Sequence, residues 1–141
     1  MPRFSLRSAA LAVALLLASC GDDDGFSPTV GNVSGSYTAS AFTVTSSSGI
    51  VDLLASGALV HISLTSDGAT TGRLLLPGTD TKGDHDEDLA GTWALSGDTV
   101  TISPRGPSVL RFTQFTAAHD ELTGERLLSG ETLRLVLTRN R

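Results

Sequence analysis

Residues able to do chemistry are few in this chain and poorly assembled for it. The three histidines, His61, His85 and His119, are scattered. None belongs to an H-E-x-x-H pair, which would set two imidazoles on one helix face for zinc, and no G-x-S-x-G turn presents a serine as a nucleophile. Serines are numerous, but none stands in a recognisable nucleophile context. The densest ionisable group is acidic: Asp80, Asp84, Asp86, Glu87 and Asp88, with His85 among them. Asp84-x-Asp86-x-Asp88 sets carboxylates at alternate positions, as the opening of a calcium loop does. Such a loop then needs glycine directly after the third acid and a bidentate glutamate later, whereas Leu89 follows Asp88 and Gly91 comes too late. The stretch reads instead as a solvated acidic hairpin tip, whose charge discourages edge pairing. No catalytic residue, metal or cofactor is expected, and the chain does not read as an enzyme.

The single cysteine, Cys20, is placed for a different chemistry. Arg3 and Arg7 give a positive start, and Ala9 to Ala18 is an uncharged apolar run. That run is shorter than the roughly 20 residues a bilayer span needs, but it suits the core of a signal peptide. Leu17-Ala18-Ser19-Cys20 follows. It resembles the lipobox of bacterial lipoproteins: a branched apolar residue, two small residues a peptidase can grip, and a thiol that receives a diacylglyceryl group. The resemblance implies a leader over residues 1–19, cleavage before Cys20, and a membrane partner held through lipid (palmitate among its acyl chains) on that cysteine. The arginines are not adjacent, so no twin-arginine signal is read. Gly21-Asp22-Asp23-Asp24-Gly25 and the Ser/Gly/Pro-containing stretch to Ser34 read as an acidic, solvated tether over 20–34. The position after the cysteine is Gly21, with aspartates starting one later. Inner and outer membrane, periplasm and cell surface, all stay open.

Composition narrows the classes further. The 141 residues suffice for one domain, with 40% hydrophobic residues, 5% aromatic and 15 glycines against 5 prolines. Without Arg3 and Arg7 the mature part carries 8 basic residues against 15 acidic, a net charge of −7. Such a balance argues against nucleic acid, which rewards clustered Lys and Arg. With one thiol, no internal disulfide forms.

The elements that position these residues show a period of two. Val60, Ile62 and Leu64 alternate with His61, Ser63 and Thr65, which puts His61 outward. Leu89, Gly91, Trp93 and Leu95 share one face, as do Val100 with Ile102, Leu110 with Phe112, and Leu133, Leu135 and Leu137. This is the pattern of half-buried strands. Turn residues fall between the runs, with Asp67-Gly68 a strong tight-hairpin signal. Strands are expected over 35–45, 57–65, 69–76, 87–96, 98–103, 108–116, 120–128 and 131–139. Ile50 to Ala55 reads as either a further strand or a helical turn, and Arg111 as an outward strand position. Gly35, Gly72, Gly91 and Gly124 recur in a shared x-[Ser/Thr/Ala]-Gly-x-x form. An inward glycine relieves crowding where a strand coils or another backbone comes close, which fits a closed meander.

About eight short antiparallel strands point to an all-β, up-and-down barrel over residues 35–139. Over roughly residues 33–139 the chain resembles the lipocalin-like, calycin-type domains of small bacterial lipoproteins. The resemblance rests on Gly35-x-Tyr37, Asp52-Leu53-Leu54-Ala55-x-Gly57, Asp88-Leu89-x-Gly91-Thr92-Trp93, Ser96-Gly97-Asp98-x-Val100 and Leu133 to Arg139. It departs in one respect: the Gly-x-Trp signature of true lipocalins lies on the first strand, and here it lies mid-chain. The resemblance implies a barrel that binds a small apolar ligand, touched by Trp93, Tyr37, Phe42 and Leu135. The alternative is a non-enzymatic structural or protein-interaction module of the cell envelope, its barrel filled by those same side chains.

Overall fold

The computed structural model describes residues 25–80 and 83–141. The leader, Cys20 and the aspartates after it lie outside the described residues. One helical turn, α1 (Val30–Val33), precedes ten strands: β1 (Gly35–Ser46), β2 (Gly49–Asp52), β3 (Leu59–Leu64), β4 (Ala69–Asp80), β5 (Gly83–Asp88), β6 (Gly91–Ser96), β7 (Thr99–Pro104), β8 (Gln114–Ala118), β9 (Glu121–Leu128) and β10 (Glu131–Arg139). All pairings are antiparallel. The order β10-β9-β8-β7-β6-β4-β3-β1 closes on itself because β1 also pairs with β10, from Tyr37↔Arg139 to Thr45↔Thr132 across an irregularity at Ser40. The result is a closed eight-stranded antiparallel barrel of the lipocalin-like kind expected.

Two of the eight staves are broken, which is why ten strands make an eight-stranded barrel. β2 and β3 lie along the same side of β1, β2 on its second half and β3 on its first. Ile50 to Ala55 is thus neither strand nor helix throughout. Its first residues complete β2, and a turn over 53–57 packs Leu53 and Leu54 against the core. β5 and β6 likewise run along one side of β4. They part at Leu89–Ala90, where the Asp88 carboxylate accepts the Ala90 N–H at 2.8 Å. A local side-chain acceptor of this kind draws an amide out of the ladder.

The alternating rows face inward as expected. Val60, Ile62, Leu64, Leu74, Leu89, Val100, Ile102, Leu133, Leu135 and Leu137 are all buried in one continuous core. Register explains how large side chains fit. Phe115, Gly124, Leu135 and Phe42 are successive partners across β8, β9, β10 and β1. The missing side chain of Gly124 is the space into which the Phe115 ring lies; a Cβ there would meet the ring at 2.7 Å. At Gly91 the close neighbour is backbone, with a Cβ falling 2.8 Å from the Pro104 Cα.

Two expectations are corrected. The strand expected over 108–116 is a loop from Arg105 to Thr113, and β8 begins only at Gln114. Pro107 has no amide hydrogen to give a ladder, and Phe112 takes φ 66°, which no strand accommodates. Leu110 and Phe112 therefore do not share a face: Leu110 is fully buried and Phe112 is 70% exposed. Arg111 is exposed as expected, but in this loop rather than on a strand. The packed structure also starts before Gly35. Val33 is only 1% exposed, and Phe26 packs against the core. Phe26 and Val33, within the stretch expected as a solvated tether, therefore belong to the packed structure.

Candidate functional site

Continuing the inward row of the β5/β6 stave backwards from Trp93, Gly91 and Leu89 leads to Glu87. It pairs in register with the fully buried Leu74 and is itself 5% exposed. A carboxylate in such a position needs full hydrogen bonding, because an unpartnered buried charge is very costly. Both oxygens accept the Val109 N–H, at 3.1 and 3.2 Å, and Oε1 lies 2.6 Å from His85 Nε2. With Glu87 ionised, Nε2 is the donating nitrogen of that imidazole. On the other side of the same peptide stretch, Arg126 of β9 donates to the Val109 carbonyl at 2.9 Å and to the Arg111 carbonyl at 2.5 Å. An acid from β5 and a base from β9 thus clamp the 105–113 loop, and Leu110 is driven into the barrel beneath it.

Beside this clamp lies an open cleft of about 350 Å³ between β5 and the loop, lined by Asp86, Glu87, Asp88, Ala90, Arg105, Gly106 and Pro107. A neighbouring cleft of about 340 Å³ is lined by Gly72, Arg73, Asp86, Glu87 and Asp88. The outward carboxylates have uses of their own. Asp86 takes two bonds from Arg73, at 2.7 and 2.5 Å, and Asp84 accepts the Gly78 N–H at 3.1 Å. Among the described residues no group of three or more His, Cys, Asp or Glu side chains is placed to hold a metal ion.

The Arg73 guanidinium hydrogen-bonded to Asp86 holds that carboxyl below its ordinary value of 3.8, and the pairing raises the arginine. A depressed carboxyl contributes stability above its unfolded value and loses it as pH falls through the folded one. The pair is solvent-exposed, so the contribution is small. Carbon-detected NMR titration is expected to show Asp86 protonating at lower pH than an ordinary aspartate, and Arg73→Ala is expected to bring it back. An Asp86 titration unmoved by that substitution would count against the ion pair.

The residues expected to touch a ligand are brought together, but as core. Tyr37, Phe42, Trp93 and Leu135 are all buried in the one cluster. The polar ends of two are occupied: the Tyr37 hydroxyl donates to the Val33 carbonyl at 2.6 Å, and Trp93 Nε1 donates to the Thr65 carbonyl at 2.7 Å. Cys20 lies outside the described residues. His61 and His119 are exposed and far apart in the barrel, His61 on β3 and His119 in the β8–β9 turn. The chain matches no family model, no curated protein and no solved structure.

Glu87 and His85 were expected within a solvated acidic hairpin tip, whereas Glu87 is buried; with Arg126 they form a site that the sequence does not mark as one, although a signal was present. The row Leu95, Trp93, Gly91, Leu89 extends by the same period to Glu87 and His85, while Asp84, Asp86 and Asp88 fall on the opposite, exposed face. Nothing in the sequence pairs Glu87 with Val109, which the barrel brings across from the next connection.

Proposed function

We propose that this chain is a lipid-anchored lipoprotein of the bacterial cell envelope whose barrel, filled by its own side chains, serves as a non-enzymatic structural or protein-interaction module. The observation that carries the filled-barrel reading is the burial of Tyr37, Phe42, Trp93 and Leu135 in a continuous core, with the two polar ends already engaged. Interiors packed in this way leave few voids larger than a water molecule, and small eight-stranded barrels are commonly closed by side chains alone. Anchoring rests on the lipobox-like Leu17-Ala18-Ser19-Cys20. Among the described residues no helix is long and apolar enough to cross a membrane.

An interaction role is supported on the outside. Leu127, Thr132, Thr45 and Ile50 are successive register partners across β9, β10, β1 and β2, and so form one outward row. Leu127 and Ile50 are each 72% exposed. Phe112 stands exposed on the loop at the same end of the barrel. Exposed apolar side chains grouped at one end are what a protein partner covers.

Two measurements test the reading. Labelling with a fatty-acid analogue is expected to mark the wild type and not Cys20→Ala; equal labelling of both would remove the anchor. Titration of the domain with fatty acids, retinoids, haem and quinones is expected to leave emission from Trp93, the only tryptophan, unchanged. Saturable quenching by any of these would restore the ligand-carrier alternative.

A further inference from the structure

The chain direction gives the barrel two unlike ends. β1 leaves α1 at one end, where the β3–β4, β6–β7 and β8–β9 turns also lie. The β1–β2 and β9–β10 turns and the 105–113 loop lie at the far mouth. The segment leading in from Cys20 arrives at the α1 end and is fastened there. Phe26 meets His119 edge-on at 5.8 Å. Thr29 caps α1 by exchanging bonds with Asn32. Arg139, on the last strand, donates to the carbonyls of Asn32 and Ser34, the latter at 2.8 Å, and to the Tyr37 hydroxyl at 3.2 Å.

That fastening leaves only the stretch between Cys20 and Phe26 to link the lipid to the barrel. Whatever its conformation, six residue steps reach at most about 21 Å. β1 alone has 12 residues. At roughly 3.3 Å per residue and a tilt of about 40°, the barrel is about 30 Å tall. The lead is therefore shorter than the barrel. We infer that the short, fastened lead seats the α1 end of the barrel on the bilayer that holds the Cys20 lipid, and turns the far mouth, with Ile50, Phe112 and Leu127, away from it. This inference rests on the anchoring reading above. The occupant of the α1 end is that same bilayer surface, met by Val30, which is 44% exposed, and by the β8–β9 turn. A lead slack as far as Gly35 would reach about 50 Å and impose no such orientation.

The test uses the full chain, lipidated in cells, purified and reconstituted in phosphatidylcholine vesicles containing a nickel-chelating lipid. Acylation of Cys20 is verified by mass spectrometry and leaves an introduced thiol as the only one. Ser66→Cys labels the β3–β4 turn at the α1 end with a nitroxide, and Ser47→Cys labels the far mouth; both sites are exposed. Headgroup nickel is expected to enhance relaxation at position 66, with loss of that enhancement at position 47. Equal enhancement at both sites on acylated protein would overturn the inference while leaving the anchor intact. An unacylated Cys20 would instead overturn the anchoring reading, and the inference with it. Inserting about twelve Gly/Ser residues between Gly25 and Phe26 gives the lead a flexible-coil extension of about 20 Å without touching the barrel. The contrast between the two sites is then expected to collapse, and its persistence would refute the short lead as its cause.

Discussion

Replacing Gly91 by alanine is expected to cost the domain about 3 kcal/mol or more, because the added methyl has no direction of escape. The Cβ would meet the Ser103 carbonyl oxygen and lie 2.8 Å from the Pro104 Cα, both backbone atoms of the neighbouring strand. Relief requires β6 and β7 to move apart, which strains the six-residue register from Gly91↔Pro104 to Ser96↔Thr99. Gly124→Ala is the informative contrast. There the obstacle is the Phe115 ring, a side chain that can be changed. Urea unfolding of the soluble domain beginning at Gly25 is expected to show Gly124→Ala and Phe115→Leu as strongly non-additive, the double variant recovering about 1 kcal/mol relative to the sum of the singles. No such recovery is expected when Gly91→Ala is combined with Phe115→Leu. Equal mildness of the two glycine substitutions would mean that β6 and β7 are not held as close as described.

Removing the Glu87 carboxylate is expected to release the 105–113 loop. In Glu87→Ala the part-buried Val109 N–H loses both of its acceptor oxygens, at a cost of about 1 kcal/mol. Glu87→Gln keeps one oxygen for that amide and is expected to lose less. The effect should be local before it is global, since Arg126 still holds the Val109 and Arg111 carbonyls. Hydrogen exchange at Val109 and chymotryptic cleavage after the exposed Phe112 are therefore expected to accelerate in the order wild type, Glu87→Gln, Glu87→Ala. Exchange at Leu122 and Leu137, deep in the barrel wall, should change little. Identical exchange at Val109 in all three proteins would show that the carboxylate does not hold the loop.

Both substitutions act at places where a local pattern met a distant neighbour, and the same distinction runs through the fold. Alternation placed nearly every wall residue correctly, because a residue on a half-buried strand has only two faces to choose between. Turn residues placed most hairpins, since the backbone geometry of a tight turn selects its residues locally; Gly68, at φ 88°, is one such position. The pattern failed in the stretch Val109-Leu110-Arg111-Phe112. Its apolar spacing imitates a strand, but Leu110 is buried in the core from a loop and Phe112 faces water. A run of four residues carries too little periodicity to separate a strand from a loop that happens to insert one side chain. Val33 was passed over for a related reason. Two valines three residues apart, amid Ser, Gly and Asn, are too few to show a period, and only the barrel end that receives Val33 makes it core.

The sequence by itself determined that this is an all-β chain of about eight alternating strands, with four inward glycines and a lipobox-like cysteine ahead of them. Each of these is written in residues close together along the chain. Tertiary structure alone decided three further features: the register in which β1 closes on β10, the fitting of Phe115 over Gly124, and the use of Glu87 with Arg126 to pin a loop from two sides. Those contacts join residues 9 to about 100 positions apart, and their energies depend on which backbones the barrel brings within a few ångströms. A period of two tells a side chain which way to point, but it carries no information about what will be waiting there.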